Sequence, residues 1–418
     1  MPTLSFWHRR NSGPAESFDF AVVGGGILGV STAFWLRRLR PGVRVAVVEA
    51  GALGSGASGR NAGFLLQGSA SDFVSDSERY GVEVAAYLWQ FSGENRAMIE
   101  WEMDGSRFDL SRTGSFTVAG SPDEADRLCA SVEALRARGE PVEWLEADRL
   151  HARIAARGFF GGMFVPAGGT IDSLRLVWTI AAESGAELRE HRPVMDLDGA
   201  GDRIRLETMA GDIEAGQAIF ALNAYGPILF PWMAEYVRPV RAQMMATSPV
   251  GHWLSTPVYS HEGFYYLRQM PDGRLLVGGA RHLFVEEEVG YEDVTTPGLQ
   301  AALQTYIETH FPGASAAMPE RAWSGAMGFS VDHLPLVGAM PDLPGSFWVG
   351  GLTGHGMGYG FRLGRLVAER VLGMPVAGED RLFDANRPGA RAAPASPVTP
   401  VRMVSFFADS RGYPPPPR

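Results

Sequence analysis

A strand that stops in glycines and restarts as a helix constrains this chain more than any other stretch. Phe20-Ala21-Val22-Val23 is a short apolar run, Gly24-Gly25-Gly26 follows, and Ile27-Leu28-Gly29 opens a helical segment. Each glycine has its own task in such a turn. Gly24 permits the tight exit from the strand, Gly26 lets backbone approach a pyrophosphate, and Gly29 lets helix pack on strand. The helix N-terminus then offers N–H groups and partial positive charge to phosphate. A second strand, Val43 to Val48, ends at Glu49, where a carboxylate reaches ribose hydroxyls and repels a 2′-phosphate. The layout predicts a grip on the ADP half of a dinucleotide, and FAD and NAD share it.

Composition narrows the class. The 418 residues are enough for two or three domains, and 45% hydrophobic with 20% charged residues is ordinary for a globular protein. A net charge of −10 argues against nucleic acid as a partner. No apolar run approaches a membrane span. Arg9-Arg10 resembles a twin-arginine signal, yet no export-type apolar segment follows directly, so residues 1–17 read as a flexible extension. Cys129 is the single cysteine, which excludes an internal disulfide and a cysteine-cluster metal site and makes the cytoplasm the default compartment. All 37 basic residues are arginine. Without lysine there is no Schiff-base chemistry and no Walker lysine.

Further along, Gly51 to Gly63 holds too much glycine for a helix or strand interior and reads as a loop near a ligand. Helical spacing marks 78–104, 123–138, 172–184 and 299–310, and Ser115 to Ala119 reads as a strand. Short strands are expected around Val194, Ile204 and Ile219. From about 236 to 285 the pattern is β-rich, with Val258 to Leu267 and Arg274 to Gly279 flanking the turn Met270-Pro271-Asp272-Gly273. Near the C-terminus, Phe347 to Gly360 repeats the strand–glycine–helix order, with Gly354-His355-Gly356-Met357 at the turn. A second helix N-terminus suits the electron-rich edge of a reduced flavin better than it suits a nicotinamide enzyme; close helix packing alone also accounts for these glycines.

These motifs, in this order, resemble the D-amino acid oxidase family of FAD enzymes, in its glycine oxidase and sarcosine oxidase branch. The carriers are Gly24-x-Gly26-x-x-Gly29 with Glu49, Ser58-Gly59-Arg60-Asn61-Ala62-Gly63, Gly169-Thr170-Ile171-Asp172, Ala221-Leu222-Asn223-Ala224-Tyr225, Trp323-Ser324-Gly325, Asp332 to Gly338 and Gly354-His355-Gly356. The resemblance covers about residues 18–385. It implies an α/β, Rossmann-type FAD-binding domain, discontinuous over 18–85, 145–230 and 320–385. An α+β substrate domain built on an antiparallel sheet would take 86–144 and 231–319, with a Pro/Ala-rich tail over 386–418. The cofactor residues it implies are Gly24, Gly26, Ile27, Leu28, Gly29, Glu49, Ala50, Ser58, Arg60, Asn61, Ala62, Gly63, Val194, Asn223, Gly325, Gly354, His355, Gly356 and Met357.

The implied chemistry is oxidation of a C–N bond in a small amine or amino acid: hydride passes to flavin N5, the imine hydrolyses, and dioxygen or another acceptor reoxidises the flavin. A same-fold dehydrogenase using a quinone or protein acceptor, and a non-catalytic flavin- or NAD-binding module, are the alternatives. Relatives of glycine oxidase type carry a carboxylate-binding arginine where this chain has Met327. That disfavours a simple glycine-like substrate and fits an amine of the γ-glutamylputrescine oxidase kind, or an acid group bound elsewhere. Arg281 is the candidate replacement anchor. Tyr265 and Tyr266 point to opposite sheet faces, so one of them lines the pocket, and Arg268 shares the face of Tyr266. His355 opens the last helix. Gly325 stands where some sarcosine oxidases attach flavin through cysteine, so FAD is expected to be non-covalent.

Overall fold

The computed structural model describes residues 5–7, 13–68, 72–199 and 202–391. Its chain divides into two units. The first comprises residues 1–59, 174–240 and 326–418, and the second 60–173 and 241–325.

The first unit carries the glycine turn. Glu16–Val23 is the central strand of a sheet ordered Leu336–Ala339, Phe347–Gly350, Ile213–Phe220, Glu16–Val23, Val45–Val48, Glu187–Arg189. The pairing of Leu336–Ala339 with Phe347–Gly350 is antiparallel and the other four are parallel, with Val22 opposite both Ile219 and Val47. Parallel strands are covered on both faces, which is why Val45–Val48 is buried at every position. Two further strands, Val194–Asp198 and Ile204–Thr208, extend antiparallel from Ile213–Phe220. The first helix, Ile27–Leu39, is buried along its first ten residues. The last helix, Gly356–Val371, lies against it, and its glycines explain how closely. A Cβ on Gly360 would stand 3.1 Å from Ile27 and one on Gly364 2.6 Å from Ser31. The Trp35 indole donates to the Phe361 carbonyl at 3.0 Å.

The second unit is built on an eight-stranded sheet, ordered Pro319–Ser330, Val237–Thr247, Leu275–Gly279, Tyr265–Gln269, Val258–Ser260, Ser115–Val118, Gly162–Val165, Glu143–Leu145. Side-chain alternation separates its faces. One face carries Val258, Tyr265, Leu267, Leu275 and Val277 under the helix Pro297–His310, which contributes Leu299, Leu303, Tyr306 and Ile307. The other carries Met244, Tyr259, Tyr266 and Leu276 together with Phe64 and Trp323.

Several expectations shift. Residues 60–85 and 145–173 group with the second unit, because Phe64–Leu66 pairs with Gly168–Thr170 and Gly162–Val165 joins the larger sheet. Val258 to Leu267 is two strands, broken where His261, Glu262 and Gly263 all take positive φ. The first strand begins at Glu16, inside the expected extension, because the Glu16 carboxylate pairs with Arg189 and Arg192. At the other end, residues 386–391 belong to the fold: Arg387 donates to both oxygens of Asp332, at 2.7 and 2.8 Å, and Ala390 is fully buried. The rest of the Pro/Ala-rich tail lies outside the described residues. Among those described, no helix is long and apolar enough to cross a membrane, and no cluster of three or more His, Cys, Asp or Glu forms a metal site.

Candidate functional site

The carboxyl ends of the parallel strands in the first unit converge at Gly24, Glu49 and Ala221, the place where open α/β sheets bind ligands. Gly24 has φ of +113°, and a Cβ there would stand 2.6 Å from the Ala221 carbonyl oxygen, so only glycine fits. At Gly29 a Cβ would sit 1.9 Å from the Gly24 carbonyl, which makes strand and helix touch through backbone. Gly26 is the N-cap of the helix and supplies no side-chain cap; the Ile27 amide instead donates to Ser58 Oγ at 2.9 Å. The side chains of Ile27 and Leu28 are buried, so these residues offer backbone alone. Glu49 latches the turn. Its carboxylate accepts from the Gly25 amide at 2.6 Å and from the Gly51 amide at 2.8 Å. Burial raises the Glu49 pKa, the two amides oppose that rise, and neighbouring Glu190 adds to it. A second acid beside Glu49 makes the end of this strand unfriendly to a 2′-phosphate.

The C-terminal glycine turn lies in the same unit. Gly354 has φ of +84°, and His355 caps the last helix, its ring centroid 5.8 Å from that of Tyr359. A Cβ on Gly356 would be 3.9 Å from Ile27, so the two helices start side by side. Met327 approaches this turn, its Sδ 3.8 Å from where a Cβ on Gly354 would stand. Asn223 has φ of +45°; its Oδ1 accepts from the Leu352 amide at 3.2 Å and fills the space beside Gly328. Its side chain therefore braces the C-terminal glycine segment. Val194 is a buried strand residue opposite Thr208, Ala50 directs its amide toward the Glu49 carboxylate, and Met357 is buried.

In the second unit the loop Arg60–Gly63 is held from several sides. Arg60 donates to Asp293 at 2.6 Å and to the Ser324 carbonyl at 2.8 Å, and its own carbonyl accepts from the Trp323 indole at 2.9 Å. The stem of Arg60 covers Gly325, where a Cβ would be 3.2 Å from Cδ. Asn61 Oδ1 accepts from the Gly63 amide at 2.8 Å. Arg268 shares the face of Tyr266, yet its Nη1 goes to the carbonyls of Ala62, Gly63 and Ile171, at 3.1, 3.2 and 2.8 Å. This end of its guanidinium is thus held by backbone.

The alternation separates the two tyrosines as well. Tyr265 stacks on Tyr306 at 4.3 Å under the helix Pro297–His310, which removes it from the candidate pocket residues. Tyr266 lies on the opposite face, directly across from Tyr259 on one side and Gly278 on the other. Phe64 meets Tyr259 edge-on at 5.0 Å. Gly278 makes room for the Tyr266 ring: a Cβ there would be 2.3 Å from a ring carbon and 2.3 Å from Met244 Sδ. Burial raises both phenol pKa values, that of Tyr266 to about 12, so both are neutral donors at physiological pH. Arg281 follows at the end of this hairpin, where Ala280 takes φ of +59°. Its guanidinium lies over the Phe264 ring at 5.3 Å and interacts electrostatically with Tyr266.

Comparison with known proteins gives this arrangement its place. The FAD dependent oxidoreductase (DAO) family matches residues 19–370. The chain belongs to this family of FAD-dependent flavoenzymes. Glycine oxidase from Geobacillus kaustophilus is 30% identical to it over 85% of this chain and 93% of its own. The crystal structure of glycine oxidase from that organism superposes with a TM-score of 0.75, at 26% identity, over 89% of this chain and 98% of the other. The γ-glutamylputrescine oxidoreductase of Escherichia coli is 27% identical over 85% of this chain and 84% of its own.

The first unit suits FAD on structural grounds. The N-cap of its leading helix, Gly26, has no side chain to cap it, its turn glycines leave backbone where phosphate approaches, and the Glu49 carboxylate ends the second strand. Tyr259, Phe64 and Met244, which share the Tyr266 face, are not among the residues that the sequence singled out. Tyr259 was within reach of the sequence reading. The broken hairpin at His261 to Gly263 sets Tyr259 opposite Tyr266, and a turn signal there would have placed both rings on one face.

Proposed function

We propose that this flavoenzyme oxidises the C–N bond of an amine or amino acid that carries an acid group, and that Arg281 holds that group. Bound FAD supplies the hydride acceptor, the resulting imine is hydrolysed by water, and dioxygen takes up the electrons. The supporting observation is a pair of neutral phenols, Tyr259 and Tyr266, on one sheet face of the second unit, with the Arg281 guanidinium, in the turn after the strand, within electrostatic reach of Tyr266. Arg281 forms charge-assisted bonds to a carboxylate, and Tyr266, in its electrostatic reach, donates one more. The same positive charge disfavours an ammonium nearby, so the amine loses its proton before it yields hydride. Met327 offers a thioether and no carboxylate partner beside Gly354, consistent with the acid group being held elsewhere. His355 acts through the backbone as the N-cap of the last helix.

The cofactor residues proposed are the backbone of Gly24 to Gly29, Glu49 and Ala50, Ser58, the loop Arg60–Gly63 with Gly325, and the turn Gly354–Met357. Val194 and Asn223 act beneath them as supports. FAD is held non-covalently: position 325 is glycine, and Cys129 sits in the helix Pro122–Ala137.

Anaerobic mixing of the purified protein with amines and with D- and L-amino acids, followed by visible absorbance, tests the reading. Bleaching by an acid-bearing amine is expected, and so is an Arg281→Ala variant whose KM for that substrate rises about 10-fold or more, the loss of one charge-assisted contact. An unchanged KM removes Arg281 from the role. A protein that purifies colourless and shows no spectral change on adding FAD sinks the flavin assignment. A same-fold dehydrogenase is the second reading, favoured by the absence of any lysine to assist dioxygen. Slow reoxidation in air after anaerobic reduction selects it.

A further inference from the structure

Arg268 is a buried cation that nothing in the proposed chemistry uses. It is 7% exposed and stands opposite Leu276 on the neighbouring strand. Among the described residues no carboxylate lies in ion-pair range of it; Asp172 and Asp109 act on it only from a distance. Its Nε is buried without a partner. Burial lowers its pKa to about 10, which leaves it charged at neutral pH. Burying an unpaired cation is costly, and a methionine would fill the space without that cost. The arrangement therefore calls for a reason beyond packing.

Its partners supply one. Three carbonyl oxygens, those of Ala62, Gly63 and Ile171, converge on Nη1. Gly63 is shaped around this grip. Its φ is +71°, and a Cβ would stand 2.7 Å from Arg268 Nη1 and 2.2 Å from the Ile171 carbonyl oxygen. The Ile171 amide donates to the Gly63 carbonyl at 2.8 Å, so the two segments are also tied directly. Because a peptide is planar, fixing the carbonyls of residues 62 and 63 fixes the planes that carry the following amides. We infer that Arg268 is a positioning residue for the loop Arg60–Gly63, setting the orientation of its peptides for the cofactor. The inference rests on the reading that this loop holds FAD. A lysine replaces it only in part: an ammonium can donate to the same oxygens, but without the planar guanidinium that holds them at fixed angles.

The test compares Arg268→Gln and Arg268→Lys with the wild-type protein in three measurements. These are FAD dissociation after mild stripping, the visible circular dichroism of bound FAD, and amide hydrogen exchange of residues 60–66. The expected result is a 10-fold or greater loss of FAD affinity in the glutamine variant and a smaller loss in the lysine variant. The visible dichroism changes in both, and exchange accelerates at 62–64 while the amides of Tyr265–Gln269 and Leu275–Gly279 keep wild-type protection. A folded glutamine variant with wild-type FAD affinity, dichroism and loop exchange overturns the inference. If that variant does not fold, the lysine variant decides alone, and wild-type values in all three measurements overturn it. Loss of protection across the whole sheet, with wild-type dichroism in whatever FAD is retained, assigns Arg268 to stability only and also overturns it. If the wild-type protein itself takes up no FAD, the functional reading fails first.

Discussion

Acid is expected to destabilise the second unit through a histidine cluster under its sheet, with His261 at its centre. His261 Nδ1 pairs with Ser260 Oγ at 2.9 Å, and that hydroxyl meets Tyr306 Oη at 2.8 Å. The rings of Tyr265, Tyr306 and Phe159 surround it, with centroids at 5.3, 5.9 and 6.3 Å. Two more histidines face it: His310, with its ring centroid at 5.5 Å, and His282. The nearby carboxylate of Glu124 is occupied by the amides of Gly120 and Glu262. Burial first, and then repulsion from His310 and His282, push His261 from 6.5 down to about 4. Desolvation lowers His282 and His310 as well, with Glu262 opposing the shift at His282.

The fold prefers the neutral ring. Above pH 6.5 both folded and unfolded chains hold it neutral and no penalty exists. As the pH falls from 6.5 toward 4, the unfolded chain binds a proton that the folded chain refuses, and stability drops; below about 4 the penalty is constant. A full shift of this size corresponds to about 3 kcal/mol. The ring is partly open to water, so screening leaves about 1–2 kcal/mol. Urea unfolding followed by tryptophan fluorescence, across this window, measures it for the wild-type protein and for His261→Gln, which keeps a hydrogen-bonding group beside Ser260 but does not titrate. The wild type should lose about 1–2 kcal/mol more than the variant on going from neutral to pH 4. Equal pH slopes for the two proteins would refute the reasoning, whatever their absolute stabilities.

Two other substitutions have outcomes set by geometry. Gly278→Ala places a methyl 2.3 Å from both Met244 Sδ and the Tyr266 ring; it should cost about 1–3 kcal/mol in chemical denaturation and raise KM with flavin content unchanged. Glu288→Ala leaves Arg241, 5% exposed and bonded to Glu288 at 3.1 Å, without its buried counter-charge. A loss of about 3–5 kcal/mol is expected in thermal or urea unfolding, and a loss under about 1 kcal/mol would show that water reaches Arg241.

How much could be read in advance depended on whether a residue's task is local. Gly24, Gly26 and Gly29 act on their own backbone and on the strand beside them, so their spacing announced the turn. Glu49 ends the adjacent strand, and its position could be counted along the chain. Asn223 and Val194 were expected at the cofactor; the protein partners they have, Leu352 and Thr208, come from other segments and could not be counted along the chain. The strand-paired residues fell between these cases. Alternation put Tyr266 and Arg268 on one face, as observed. It could not say that the guanidinium would meet three carbonyls two residues away from a phenol without them, since those carbonyls belong to residues 62, 63 and 171. The boundary at residue 60 was hidden for the same reason: Phe64–Leu66 joins its unit by pairing with residues about a hundred positions later.

A chain whose only strong cations are arginines sorts them by what they meet. Arg241 faces a buried carboxylate and serves stability. Arg60 joins Asp293 to the Ser324 carbonyl and ties a loop. Arg268 faces carbonyls alone, which solvate a cation without neutralising it, and so it sets backbone while keeping its charge. Arg281 lies over the Phe264 ring and within electrostatic reach of the neutral Tyr266 phenol at the end of a hairpin. The partner of each arginine separates these roles where the sequence, showing the same residue each time, does not. The proposals made above therefore put different demands on the same residue type: Arg281 is to bind the acid group of the substrate, and Arg268 is to order the loop Arg60–Gly63.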